Sequence, residues 1–165
     1  MNVNGVMVYR VIPIEESDGI HIGDTIPIPE ANEHFQCSDN KKNAENLFED
    51  YRAREFPAFP SRKSCLFVLP QDIEFVDRWV KAHHPHDDWT YVLLTLQLKG
   101  QLLWCDEDHF TKAGLPLPPV FKESEAREYW TKAGNDYTTF EIPEGLFIGK
   151  ATIKNIEHLE HKGIK

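Results

Sequence analysis

The stretch WTYVLLTLQL, residues 89–98, decides the fold, because it is the strongest strand signal in the 165-residue chain. Its β-branched, aromatic and leucine residues continue without Gly or Pro, which predicts a strand that lies well inside a sheet. Gly100 and the run 101–105 that follows it predict a tight change of direction into a second strand. We therefore expect these two strands at the centre of the sheet.

Two helices are predicted before this centre. Over residues 43–54 one set of side chains has the spacing of a buried helical face, and acids with one arginine take the other face. The first set is Ala44, Leu47, Phe48 and Tyr51, and the second is Glu45, Glu49, Asp50 and Arg52. A second helix follows residues 70–72, with Asp72 as its N-cap. Its predicted buried stripe is Ile73, Val76, Trp79 and Val80.

The other segments alternate irregularly. Strands are predicted over residues 6–12 and 61–69, a short helix over 124–133, and closing strands after Glu141. The proline- and glycine-containing segment 13–40 and the run 115–119 predict loops. Single helices between strands that lack regular βαβ spacing indicate an α+β domain rather than a doubly wound sheet.

Composition limits the class of protein. The length predicts a single domain over residues 1–165. A net charge of −9 disfavours non-specific binding to nucleic acid phosphates. The absence of a long apolar run or a signal-peptide pattern favours a cytoplasmic protein without membrane contact. Three widely spaced cysteines, Cys37, Cys65 and Cys105, favour reduced structural thiols.

Four places in the sequence carry candidate chemistry. Arg10 follows Tyr9 in a predicted strand, where its guanidinium needs a partner acid or a ligand anion, unless it points outward. The run Ser61–Ser64, with Arg62 inside it, has the composition of a phosphate or ribose site and equally of a solvated turn. Asp106 ends a buried strand, and Glu141 precedes a closing strand. Each acid is a candidate for acid–base or electrostatic catalysis, with a solvated turn as the alternative.

Two further clusters favour structural interpretations. The run His83–Asp88 contains zinc-ligand types, but its proline and its lack of a helical i, i+4 pair favour a solvated connection, so no metal site is predicted. Cys105 lacks the surroundings of a cysteine nucleophile. Glycines are scattered, so neither a Rossmann nor a Walker phosphate loop is present.

Three of these features occur in an order that resembles the ADP-ribosyltransferase superfamily. They are Tyr9-Arg10 on the first strand, the serines Ser61 and Ser64 at the start of a middle strand, and Glu141 ahead of Pro143-Glu144-Gly145. The chain also looks like an uncharacterised bacterial or phage family built on that fold. The resemblance implies a split β-sheet core with short flanking helices.

The resemblance also implies a cofactor and roles for residues. NAD is the implied substrate: Arg10 would hold its diphosphate, Ser61 or Ser64 would line the ribose side, and Glu141 would be catalytic. Arg62 belongs to the same implied NAD site. Tyr9, Phe67 and Trp130 are aromatic candidates for stacking on nicotinamide or adenine, with plain core packing as the alternative. The segment 13–40 would be a lid or a target-recognition element.

Three points stay open: the catalytic acid, the acceptor and the class of function. An alignment with small antibiotic-modifying transferases of the same fold makes Asp106 the catalytic acid instead of Glu141. The acceptor of ADP-ribose is a protein, a nucleic acid or a small molecule. A different class of function is a non-catalytic binding module that keeps the fold and docks a partner through its acidic surface.

Overall fold

A computed structural model describes residues 1–30 and 39–164 of the chain. Within these residues the fold is mixed α/β, with one five-stranded antiparallel sheet and four α-helices. The strands are β1 (Asn2–Pro13), β2 (Thr25–Ile26), β3 (Leu66–Pro70), β4 (Trp89–Asp106) and β5 (Pro143–His161). The helices are α1 (Asp39–Glu55), α2 (Ile73–His83), α3 (Glu107–Ala113) and α4 (Pro119–Lys132). The predicted combination of helices and strands in an α+β arrangement is confirmed, and the structure adds that the sheet is antiparallel.

The chain divides into two compact units, and each is built from separate stretches of sequence. The helical unit consists of Met1, Ile28–Leu66 and Leu102–Ile148, as far as these residues are described. The sheet unit consists of Asn2–Pro27, Phe67–Gln101 and Gly149–Lys165. The prediction of one domain over residues 1–165 stays a prediction.

The sheet has the strand order β2-β5-β3-β1-β4, and β5 also pairs with β4. β1 runs antiparallel to β4 from the pair Asn2↔Gln101 to the pair Pro13↔Tyr91. The predicted change of direction at Gly100 is wrong, because Gly100 lies opposite Val3 inside a continuous strand. The long partner strand β1 keeps β4 extended through the glycine.

The core of the sheet unit lies between α2 and the sheet. Leu69, Val76, Val80, Tyr91 and Leu93 form one buried cluster there. Asp72 caps α2 as predicted, accepting a hydrogen bond from the Glu74 N–H at 3.0 Å. The predicted stripe holds at Val76 and Val80, whereas Ile73 is 49% exposed and Phe75 is buried beside the stripe. A position in the first turn of a helix is easily left outside its packing face.

The core of the helical unit is formed by α1, α3 and α4, which pack on one another. Phe48 of α1 is fully buried and contacts the ring of Phe110 edge-on, with 5.3 Å between ring centroids. The helix predicted over 43–54 is confirmed and begins earlier, at Asp39. Glu45, however, is buried, although its spacing predicts the solvent face. It is paired there with Arg62.

Three elements differ from expectation. The acids after β4 begin α3, with Asp106 as the N-cap. The last helix begins at Pro119 rather than near residue 124, because proline suits the first turn of a helix, where no N–H bond is lost. The strand predicted over 61–69 begins only at Leu66, after a 3₁₀ turn over Arg62–Ser64.

The predicted loop 13–40 contains a 3₁₀ turn at Ile14–Glu16 and the two-residue strand β2. Its residues 31–38, and Cys37 with them, lie outside the described part of the chain. Among the described residues, none of the helices combines the length and the apolar character needed to cross a membrane.

Candidate functional site

Asp106 and Glu141, the two candidate acids, are in direct contact within the helical unit. The Asp106 carboxylate accepts the Glu141 N–H on Oδ2 and the Ile142 N–H on Oδ1, both at 3.1 Å. Oδ1 also accepts the N–H of Asp108 at 3.1 Å, in the first turn of α3. Asp106 is buried and Glu141 is exposed. The two acids therefore have different environments: one carboxylate is occupied by backbone donors, and the other faces solvent.

Hydrogen bonds fix the backbone on both sides of Glu141. A 3₁₀ turn over Tyr137–Thr139 is capped by Asp136, whose carboxylate accepts the Thr138 N–H at 3.0 Å. Phe140 is buried, and the Glu107 N–H donates to the Ile142 carbonyl at 2.8 Å. A short loop with this many backbone bonds has few alternative conformations. The Glu141 backbone is therefore preorganised at the start of β5.

Ser61 and Ser64 build the 3₁₀ turn before β3. The Ser61 hydroxyl accepts the Lys63 N–H at 3.1 Å and donates to Glu49 Oε2 at 2.8 Å. The Ser64 N–H donates to the Ser61 carbonyl at 3.2 Å. Partial burial acts to raise the pKa of Glu49, but hydrogen bonds from Arg52 and Ser61 outweigh it, so the net shift of that pKa is downward. The contacts of Ser61 thus tie the turn to α1.

Arg62, the third polar residue of that turn, lies in a buried network of charged groups. Its guanidinium binds both oxygens of Glu45, with Nε–Oε2 and Nη2–Oε1 distances of 3.1 Å. Nη1 donates to the Tyr129 hydroxyl at 2.7 Å and to Glu144 Oε1. The Tyr129 hydroxyl in turn donates to Glu144 Oε1 at 2.7 Å. We call these four residues the Arg62 network.

Aromatic packing and burial complete this environment. The Arg62 Cζ lies 3.9 Å from the centroid of the Phe110 ring, a cation–π distance. Arg62, Glu45 and Glu144 are each less than 5% exposed, and Tyr129 is fully buried. Because its donors already serve two carboxylates, Arg62 is better described as an internal counter-ion than as the NAD contact suggested by its neighbours in sequence.

Arg62 brings one positive charge to the Arg62 network, and Glu45 and Glu144 bring two negative charges when both are ionised. The network is therefore neutral only when one carboxylate holds a proton. Burial raises the pKa of Glu144 to about 7; the nearby Arg62 opposes this rise, and the negative charge of Glu107 adds to it. Both hydrogen bonds to Glu144 end on Oε1, so a proton on Oε2 disturbs neither. Burial likewise raises the pKa of Tyr129 well above its ordinary value, so Tyr129 remains a donor.

Cys105 lies close to the same network. Burial raises the pKa of its thiol well above the ordinary range, and the Glu144 charge adds to the rise. A buried thiol of this kind is a poor nucleophile, since the thiolate is the reactive form. Among the described cysteines, Cys65 and Cys105 are both buried.

Three of the predicted NAD contacts belong to the sheet unit: Tyr9, Arg10 and Phe67. Arg10 is half-buried in β1 and donates from Nη1 to the Phe67 carbonyl at 2.7 Å. Tyr9 packs on the buried cluster around Leu69 and Val76. The convergence of Arg10 with Glu141 stays a prediction, because the two residues belong to different units.

Trp130, proposed as a stacking residue, lies in the core of the helical unit. It is fully buried in α4, and its indole N–H donates to the Phe48 carbonyl at 2.8 Å. Its ring also contacts that of Tyr129 edge-on at 4.8 Å. These contacts match the core-packing alternative for this residue.

Four residues with notable environments were outside the candidate set: Glu45, Glu107, Tyr129 and Glu144. Glu144 carried a usable signal, since an acid inside a predicted closing strand requires a partner wherever that strand is buried. Glu107 carried another, because acids after an Asp at a strand end have the pattern of a helix N-terminus. Nothing local marks Tyr129 as the partner of Arg62, which lies 67 positions away.

The fold and site together define a mixed α/β protein with a buried charged network and an exposed, anchored acid. Residues 20–160 match the model of a family described as "Protein of unknown function (DUF2441)". This match spans well over half of the chain, and the chain belongs to that family. No curated protein matches the chain.

Proposed function

We propose that this protein is an NAD-dependent mono-ADP-ribosyltransferase with an ADP-ribosyltransferase-like split-sheet core. The observation that carries the proposal is the contact between Asp106 and the backbone N–H groups of Glu141 and Ile142. It fixes the backbone of an exposed acid just before β5, where the resemblance requires the catalytic acid. Catalysis by electrostatic stabilisation depends on such preorganisation.

The reaction breaks the bond between nicotinamide and C1 of the ribose. Nicotinamide leaves as a neutral molecule with the bonding electrons, and positive charge develops on the sugar. The Glu141 carboxylate beneath the sugar stabilises this charge more in the transition state than in bound NAD. A nucleophile of the acceptor, or water, then bonds to C1 and loses a proton.

Asp106 acts in this proposal as a positioning residue. Its two oxygens already accept three backbone N–H groups, and it is 7% exposed. A carboxylate with these contacts is well placed to orient its neighbour and poorly placed to approach a sugar. This supports Glu141 over Asp106 as the acid that faces the substrate.

Arg10 is the proposed contact for the NAD diphosphate. Its Nη1 donates to the Phe67 carbonyl, a bond that orients the guanidinium plane. Guanidinium groups bind phosphate oxygens in pairs, so an oriented Arg10 anchors NAD without a glycine-rich loop. Tyr9 in β1 and Phe67 in β3 are the proposed aromatic contacts, and Ser61 and Ser64 remain the proposed residues of the ribose side.

The test follows nicotinamide release from NAD by mass spectrometry and ADP-ribose attachment with a labelled NAD analogue. We expect wild-type protein to release nicotinamide, and Glu141→Gln to release it at least about a hundredfold more slowly, as when one transition-state contact is removed. Glu123→Gln, an exposed acid in α4, is the matched control and keeps the wild-type rate. Absence of both NAD cleavage and an NAD-induced rise in Tm sinks the proposal.

A second candidate function is a non-catalytic binding module, and one observation favours it. Leu115, Val120 and Phe121 are 51%, 67% and 58% exposed, all within seven residues around the start of α4. Exposed large apolar groups that occur together are typical of interaction surfaces. This alternative predicts that Val120→Ser with Phe121→Ser abolishes partner binding and that Glu141→Gln has no effect on it.

A further inference from the structure

A small open cavity of about 190 Å³ lies in the sheet unit, where β1, β4 and β5 contribute side chains. Its lining includes Asn4, Gly5, Gln97, Lys99, Lys150 and Thr152. The cavity is smaller than the range of about 300–1,000 Å³ typical of sites for drug-sized ligands. It therefore fits a small ion or one end of a larger ligand.

A β-bulge shapes this cavity. The pairing of β1 with β4 passes from Asn4↔Lys99 to Val6↔Leu98 and skips Gly5. Gly5 has a φ of +88°, a conformation that side chains rarely adopt. The extra residue of a bulge leaves the ladder, so its backbone is accessible to a ligand. Gly5 therefore permits the bulge, and because it has no side chain, the cavity stays open at that position.

The chemistry of the lining is that of an anion site. Lys99 and Lys150 are exposed cations from two different strands, and Asn4, Gln97 and Thr152 add amide and hydroxyl donors. Among the described residues that line the cavity there is no carboxylate. This is notable in a chain with 27 acids and 18 Lys and Arg residues. The pair of lysines gives the cavity a local positive potential within an acidic protein, so an anion is attracted to this place.

We propose that this cavity binds a phosphate or pyrophosphate group through Lys99 and Lys150. Lysines act as point charges on phosphate oxygens, and the amide and hydroxyl donors bind the remaining oxygens. A monocarboxylate has fewer oxygens and less charge, so it uses fewer of the donors in the lining. The proposal concerns a separate group of residues from Glu141 and does not depend on the transferase reaction.

The test is calorimetric titration of the whole protein at 0.15 M NaCl, where weak long-range attraction is screened. The titrants are inorganic phosphate, pyrophosphate, adenosine monophosphate and, as a control anion, acetate. We expect saturable binding of the phosphate-containing titrants and none of acetate. If inorganic pyrophosphate binds as tightly as adenosine monophosphate or more tightly, the ligand is a free anion. If adenosine monophosphate binds more tightly, the ligand is a phosphorylated metabolite.

The matched variants are Lys99→Gln with Lys150→Gln, and Lys81→Gln as a control on the exposed side of α2. The double variant is expected to bind pyrophosphate at least about tenfold more weakly, as expected when charged hydrogen bonds are lost. The control keeps the wild-type affinity, and thermal melting confirms that all three proteins fold. No saturable binding to wild type, or equal binding by the double variant, overturns the proposal.

Discussion

Replacement of Arg62 by Met removes the cation at the centre of the Arg62 network and keeps most of its volume. Glu45 and Glu144 then remain buried without their counter-ion, next to Glu107. Removal of one partner of a buried ion pair costs about 3–5 kcal/mol. The contact between the guanidinium and the Phe110 ring at 3.9 Å is lost as well. We expect a loss of about 3–5 kcal/mol in the free energy of unfolding at pH 8.

The assay is urea unfolding of wild type and variant, followed by tryptophan fluorescence and circular dichroism. For a chain of this length each kcal/mol of lost stability lowers Tm by about 2–4 °C, so the expected fall in Tm is roughly 6–20 °C. The loss is smaller at pH 5 than at pH 8, because the stranded carboxylates take up protons. Two-state behaviour requires that both probes give the same transition.

Two controls separate the network from general effects of losing an arginine. Arg54→Met removes an exposed ion pair to Glu55 and is expected to change stability by less than about 1 kcal/mol. The triple variant Arg62→Met, Glu45→Leu, Glu144→Leu replaces the charges with apolar groups and is expected to recover most of the loss. A loss for Arg62→Met as small as that for Arg54→Met would show that Arg62 does not stabilise the fold as a buried counter-ion.

Three further predictions concern single groups. The folded-state pKa of Glu144 is about 7 and its ordinary value is 4.5, so the folded state holds a proton that the unfolded state releases, and stability falls as pH rises between these values. Across that pH window, the free energy of unfolding of Glu144→Gln therefore rises by up to about 3 kcal/mol relative to that of wild type, as measured by urea unfolding. A difference between the two proteins that does not change with pH contradicts this. Asp106→Asn places an amide donor against the Glu141 N–H. We expect NAD turnover, measured as nicotinamide release, to fall at least about tenfold while the protein still folds. Unchanged turnover would show that Asp106 does not position Glu141. Arg10→Ala weakens NAD binding by about 2–5 kcal/mol in calorimetry, and an unchanged Kd excludes Arg10 from the site.

The sequence predicted those elements whose signals are local. Periodic apolar residues located α1, and Asp72 with its stripe located α2, because a helix face and a cap depend on near neighbours. The continuous apolar run located the first part of β4. Asp106 ends β4 as predicted, but the two acids and the Gly114 that follow it have the pattern of a helix, and they form α3 rather than a solvated turn.

The rest depended on contacts between distant positions. Gly100 has the local signal of a turn, yet it continues β4 because Val3 pairs with it nearly a hundred positions away. Glu45 has the pattern of a solvent-facing residue, yet it is buried because Arg62 binds it from another element. Partners of buried charges follow from the tertiary fold, and no periodicity identifies them.

The same reason limits what the sequence could say of the candidate site. It identified Asp106 and Glu141 as separate candidates for one role. Their backbone contact gives them different roles, one as an anchor and the other as an exposed acid. Arg62, expected in a ligand site from its serine neighbours, has its donors engaged by two carboxylates.

The most direct test of the central claim is the rate of nicotinamide release from NAD by purified wild-type and Glu141→Gln proteins of equal thermal stability. We expect time-dependent release by wild type and a loss of at least about a hundredfold in the variant. Equal release by the two proteins contradicts the role assigned to Glu141. A wild-type rate no higher than that of buffer contradicts the proposed reaction itself.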